Sequence, residues 1–129
     1  MSPRRMIDPG WKWDDNFNLS QGIQIGDTVY TSGQVALDSD GKVVGDGDMK
    51  AQTRQALENV KSVLEVAGAS MGDVVKITVY LTDMSRLMET HAVRAEFFPD
   101  PPPASTGIEV SALAFPGLLI EIEAIAVKS

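Results

Sequence analysis

Four side chains in this sequence are the ones best able to move a proton: Glu109, Glu121, Glu123 and His91. The segment Ile120-Glu121-Ile122-Glu123-Ala124-Ile125-Ala126-Val127 alternates, so in a strand Ile120, Ile122, Ala124 and Ala126 take one face and the two glutamates the other. Glu109 shares a polar parity with Ser105, Gly107 and Ser111 in the segment before it. Carboxylates gathered on adjoining strands repel one another unless they are solvated or paired. That repulsion raises the pKa of one of them and suits it to general acid–base work. The same spacing also describes an exposed acidic face that does no more than keep the protein in solution. His91 has two readings as well. It falls on the apolar stripe of a helical segment with Met88 and Ala95. There a lone histidine is either a satisfied core or boundary residue or, beside a cleft, an acid–base group.

Residue types exclude other chemistries. The chain has no cysteine and one histidine, which removes disulfides, thiolate nucleophiles, Cys-type zinc sites and any multi-histidine metal centre within one chain. Asp38-Ser39-Asp40-Gly41 lacks the third carboxylate and the closing glutamate of a calcium loop. Gly45 and Gly47 are not followed by the Lys-Ser/Thr of a phosphate loop, and no Gly-x-Ser-x-Gly elbow occurs. No metal and no cofactor are therefore expected. Eleven Lys+Arg against 18 Asp+Glu give a net charge of −7, which argues against a nucleic-acid partner. No apolar run approaches the ~20 residues of a membrane span. Arg4 and Arg5 precede a turn at Asp8-Pro9-Gly10 rather than a leader's apolar core, so a cytoplasmic protein with no membrane partner is expected.

The elements that must position these residues read as follows. At 43% hydrophobic and 22% charged over 129 residues, the composition is that of an ordinary globular chain, and one domain over 1–129 is expected. Gly22 to Ile25 and Thr28 to Val35 read as strands around a Gly26-Asp27 hairpin turn, with a short strand at Lys42 to Val44. Asp48 caps a long helix whose stripe is Met49, Thr53, Ala56, Leu57, Val60, Val63, Leu64 and Ala67, and Gly68 ends it. Asp73 to Leu81 alternates as a strand, with Val75, Ile77, Val79 and Leu81 against Val74, Lys76, Thr78 and Tyr80. A second helix, Met84 to Phe98, gathers Met84, Leu87, Met88, His91, Ala92, Ala95 and Phe98, and Pro101-Pro102-Pro103 leads to two last strands, Ser105 to Ala112 and Leu118 to Val127. The order β-β-(β)-α-β-α-β-β is α+β, with a mostly antiparallel sheet and both helices on one face. The other face carries Tyr30, Ser32, Lys76, Thr78 and Tyr80. That half-polar surface suits a subunit interface or a ligand site, or else stands open to solvent.

Several stretches, in order, resemble the Rid (reactive intermediate deaminase, YjgF) family. They are Ser20-Gln21 followed by Gly26-Asp27-Thr28-Val29-Tyr30-Thr31-Ser32-Gly33-Gln34, Gln52-Thr53 to Asn59-Val60, Val75 to Asp83, Phe97-Phe98-Pro99, and Ile120 to Ala126. The resemblance implies a chorismate-mutase-like fold, a homotrimer with clefts between subunits, and hydrolysis of enamines and imines derived from amino acids. It implies that Glu121 orients the attacking water and that Ser32 and Gly33 line the substrate pocket. It also marks departures. Ser105 stands where the family has the arginine that forks a substrate carboxylate, Leu19 where a tyrosine is common, and His91 where an asparagine is frequent. With Gly107 these residues are the expected substrate-binding and catalytic set. The lost arginine implies a substrate other than 2-aminoacrylate. It leaves a non-catalytic small-molecule-binding trimer as the alternative, with an endoribonuclease as the weaker one.

Overall fold

In the computed structural model, which describes residues 3–129, seven strands form one sheet backed by two helices. Residues 1 and 2, where the N-terminal reading begins, lie outside the described residues. Among the described residues no helix is long and apolar enough to cross a membrane. The strands are β1 (Arg4–Ile7), β2 (Gly22–Ile25), β3 (Thr28–Thr31), β4 (Gln34–Val35), β5 (Val74–Leu81), β6 (Ala104–Glu109) and β7 (Ile120–Val127). The helices are α1 (Met49–Val66) and α2 (Met88–Phe97). The sheet runs β1-β2-β3-β7-β5-β6, and β4 also pairs with β7. Every pairing is antiparallel except β5 with β6. The expected α+β order therefore holds, and the last strand in sequence is central in space.

Helix α1 is delimited as its caps predict. The Asp48 carboxylate accepts the Ala51 amide at 3.0 Å. At the other end Gly68 takes φ +80°, and the amides of Gly68 and Ala69 return to the carbonyls of Glu65 and Leu64. All eight apolar-stripe residues are buried, against Ile77, Val79, Leu81, Ile120 and Ile122 of the sheet. Two polar residues share that stripe. Gln52 is fully buried, donating to the carbonyls of Gly45 (3.1 Å) and Gly117 (2.8 Å) and accepting from the Leu119 amide (2.8 Å). Asn59 donates to the carbonyls of Val35 and Leu37, both at 2.9 Å. Each amide does for a loop what a ladder does for a strand: it satisfies backbone groups that the sheet leaves outside its pairing.

Several expectations are corrected. The N-terminal segment is an edge strand, β1, antiparallel to β2. The strand expected over Thr28 to Val35 breaks at Ser32-Gly33, and the one expected at Lys42 to Val44 is a single bridge between Leu37 and Val43. In β5 a register shift between Val74 and Lys76 reverses parity at the start of the strand. Val74 therefore joins the core while Val75 is 49% exposed, because an extra residue in one strand turns the preceding side chains over. The second helix starts as a 3₁₀ turn at Met84–Arg86, capped by Asp83, before α2 proper. Its buried residues are Thr90 and Val93, with Leu87 and Phe97 packed alongside. Thr90 can face inward because its hydroxyl donates to the Leu87 carbonyl at 2.8 Å. His91, Ala92 and Ala95, expected on the inward stripe, are exposed.

The Gln52 side chain closes three backbone groups at once, so its truncation is a sharp test of the core. Gln52→Ala should cost about 2–4 kcal/mol by leaving the Gly117 carbonyl and the Leu119 amide unpaired beside a cavity. Thermal unfolding followed by circular dichroism should show a drop of roughly 10 °C.

Candidate functional site

Glu121 sits in β7, between Val35 of β4 on one side and Tyr80 of β5 on the other. Strand parity sends Ile120 and Ile122 into the core and Glu121 and Glu123 to the helix-free face, as the alternation predicts. The two carboxylates then differ. Glu123 accepts the Tyr80 hydroxyl at 2.6 Å, and that bond, with burial and the negative charges of Glu123 and Glu121, raises the Tyr80 pKa. Glu121 receives no hydrogen bond from any described residue and stays half-buried. Burial, and secondly the charge on Glu123, push its pKa above the ordinary glutamate value. A carboxylate held this way can accept a proton from water and return it to a leaving group.

The backbone opposite Glu121 is shaped around it. A Cβ placed on Gly33 would lie 2.3 Å from Glu121 Oε2 and 2.6 Å from its carboxyl carbon, so the carboxylate occupies space that any other residue would fill. The break between β3 and β4 makes this approach possible, and a buried polar chain holds the break open. The Ser32 amide donates to the Gln21 carbonyl at 2.8 Å and its hydroxyl to the Ser20 carbonyl at 2.5 Å. Gln34 Nε2 donates to Gln21 Oε1 and Gln21 Nε2 to Asp14, each at 2.8 Å. Where the ladder lapses, Thr31 Oγ1 accepts the Ala124 amide at 3.0 Å. Leu19, half-exposed, lies next to Ser20 on this rim. Leu19, Ser32, Gly33 and Glu121 thus gather at one end of the open face. Asp14, Gln21 and Gln34 escaped the sequence reading. The only signal for Gln21 was its place beside Ser20 in the family-like stretch.

The remaining expected residues lie elsewhere in the chain. Ser105 and Gly107 pair with Ile77 and Val79, so they face the helix side of the sheet. A Cβ on Gly107 would contact Leu87 and Met84, at 3.8 and 3.9 Å. Glu109 shares that face, and its carboxylate accepts the Met84 amide at 2.9 Å. It caps the 3₁₀ turn, so the expected trio of carboxylates is a pair. His91 lines a groove of about 420 Å³ between α2 and the loop that leads into β6, with Arg94, Phe98 and Asp100 among its neighbours. Within one chain, then, Glu121 and the Ser105–His91 side stand on opposite faces of the sheet. Among the described residues no group of three or more acidic or histidine side chains is placed to hold a metal ion.

The raised Glu121 pKa has a consequence for stability. The folded chain binds its proton more readily than the unfolded chain, so ionisation weakens the fold as pH rises through the folded pKa. Glu121→Gln should therefore raise the melting temperature by a few degrees at pH 8. The gap should close below the ordinary glutamate pKa, where both states of the wild type are protonated. Scanning calorimetry across pH 3 to 8 checks the sign.

Residues 15–128 match the family model described as Endoribonuclease L-PSP. A RutC family protein of Pyrococcus horikoshii is 47% identical over 109 residues, which are 84% of this chain and 86% of that one. The 2-iminobutanoate/2-iminopropanoate deaminase of Salmonella typhimurium is 41% identical over 111 residues, 84% of this chain and 85% of its own. Among solved structures, a YjgF/YER057c/UK114 family member from Mycobacterium tuberculosis superposes with a TM-score of 0.84 at 38% identity, covering 97% of this chain and 99% of that one. The chain belongs to the YjgF/RutC/Rid family.

Proposed function

We propose that the protein hydrolyses the C=N bond of a small imine, or of the enamine in equilibrium with it, releasing ammonia and a carbonyl compound. The observation that carries this reading is the unpaired, half-buried Glu121 carboxylate pressed against Gly33. It takes one proton from a bound water as the oxygen adds to the imine carbon. It returns that proton to the imine nitrogen to give the carbinolamine, then takes the carbinolamine's hydroxyl proton and delivers it to the nitrogen as the C–N bond breaks. Water and imine are consumed, carbonyl and ammonia leave, and no electrons are transferred. The deaminase named for the Salmonella relative acts in the same class. The substrate is one other than 2-aminoacrylate, since Ser105 brings no guanidinium to β6.

The active unit in this reading is a homotrimer. The open face carries Tyr30, Ile125 and Val127 outside the reach of the chain's own helices, with Tyr30 and Val127 exposed. The two halves of the expected site occupy opposite faces of one sheet, so they can meet only across a boundary between chains, with the open face of one against β6 and α2 of the next. A second reading, a trimer that binds small molecules without turning them over, rests on Ser105 alone. An endoribonuclease, the name attached to the family model, runs against the net charge of −7.

Two measurements test these statements. Light scattering at micromolar concentration should give about three times the 13.9 kDa chain mass, and a monomer would remove the cleft. Ammonia release from 2-iminobutanoate and longer imines made in situ should fall about 10²-fold or more in Glu121→Gln. Gly33→Ala should fall comparably, because the backbone there tolerates alanine and the steric effect lands on the carboxylate. Ligand binding without turnover by the wild type would favour the second reading, and RNA cleavage that vanishes in Glu121→Gln the third.

A further inference from the structure

The groove beside α2 contains a charge that no described residue pairs with. Arg54 pairs with Glu96 at 2.8 Å and Arg86 with Glu89 at 2.8 Å. The Arg94 guanidinium, less exposed than Arg54, forms no ion pair or side-chain hydrogen bond with any described residue. Burial alone pulls its pKa down, though a guanidinium stays charged at any physiological pH. A partly desolvated cation without a partner is destabilising, and its fork of donors is matched to a carboxylate. His91 stands one turn earlier on the same helix, and Phe98, Pro102 and Pro103 supply an apolar wall. Pro103 leads through Ala104 straight into Ser105, so the groove ends where β6 offers a hydroxyl in place of a guanidinium. Asp100, also in the wall, opposes a second negative charge on any ligand.

We propose that this groove binds the carboxylate of a small organic monoacid, with Arg94 as the clamp, delivered from α2 rather than from β6. His91 supplies a second donor, and Phe98 with the two prolines covers a short aliphatic chain. The choice of a 2-oxo acid as the bound form rests on the imine-hydrolase reading, because that reaction would leave such an acid as its product. The presence of a carboxylate site does not rest on it.

Titration calorimetry of the full-length protein with 2-oxobutanoate, and with neutral 2-butanone as control, tests the proposal. The wild type should bind the acid and not the ketone. Arg94→Met should weaken binding about tenfold or more, and Arg94→Lys by less, since the loss of a charged bidentate contact is a large one. Arg94→Met should also fold at least as stably, because it removes an unpaired, partly buried charge; its melting temperature shows that lost binding is not lost structure. Equal affinity in Arg94→Met, binding of the ketone, or no binding of the acid at millimolar concentration would each overturn the clamp. Ammonia-release assays on the same variants separate the two claims. Undiminished acid binding together with full turnover in Arg94→Met overturns the clamp and leaves the hydrolase. Arg94-dependent binding in a wild type that hydrolyses no imine leaves the clamp and sinks the hydrolase.

Discussion

The contact on which the site depends is the approach of the Glu121 carboxylate to a backbone position with no Cβ. With its oxygen 2.3 Å from where a Cβ on Gly33 would sit, the carboxylate can be half-buried without a side chain screening it from the open face. That approach requires β3 and β4 to part at Ser32-Gly33, and parting two strands exposes backbone groups that a ladder would have satisfied. Their partners are specific: Thr31 for the Ala124 amide, and Gln21 for the Ser32 amide. Gln34, buried at 2% exposure, joins Gln21 to Ser32. One glycine therefore entails a buried amide network reaching back to Asp14.

The same logic governs α1. A helix with a purely apolar stripe would cover the sheet equally well, yet two positions of this stripe are the amides of Gln52 and Asn59. They tie down the loop at Gly45, the loop at Gly117 and the chain after β4. Loops fixed from inside the core lose their freedom at folding rather than at ligand binding, which is the advantage of preorganisation. Glu121 immediately follows one of these anchored segments, on a central strand paired on both sides, so its position is set by rigid elements.

How far the sequence could be read follows from this geometry. The faces of β7, the stripe and caps of α1 and the α+β order are consequences of alternation, 3.6-residue periodicity and Gly68, all local and all legible. The errors arose where a single residue decides parity. Val74 and Val75 exchange faces at a bulge, and no pattern of two adjacent valines shows where an extra residue sits. Glu109 is grouped with Glu121 and Glu123 because each strand's own parity is clear. Which parity joins which face depends on register across β5, and a slip of one residue inverts it. Strand β1 was missed because only Ile7 of its residues is buried, leaving no alternation to read. His91 falls on the inward stripe by spacing alone, and Thr90 takes the inward place instead, its hydroxyl satisfied by the Leu87 carbonyl.

A chain of net charge −7 is an unpromising receptor for anions, and the overall field opposes their approach. At physiological salt, however, charges farther apart than about 8 Å are largely screened from one another. What a small anion meets at close range is then decided by the few groups within that distance. In the groove beside α2 those are Arg94, His91 and Asp100. A guanidinium already stripped of part of its hydration and of any internal partner has most to gain from a carboxylate, because the cost of desolvating it was met in folding. The acidic surface then acts on specificity more than on affinity. It resists polyanions, which would have to cross that surface at several points, and admits a single carboxylate to the partly buried guanidinium of Arg94.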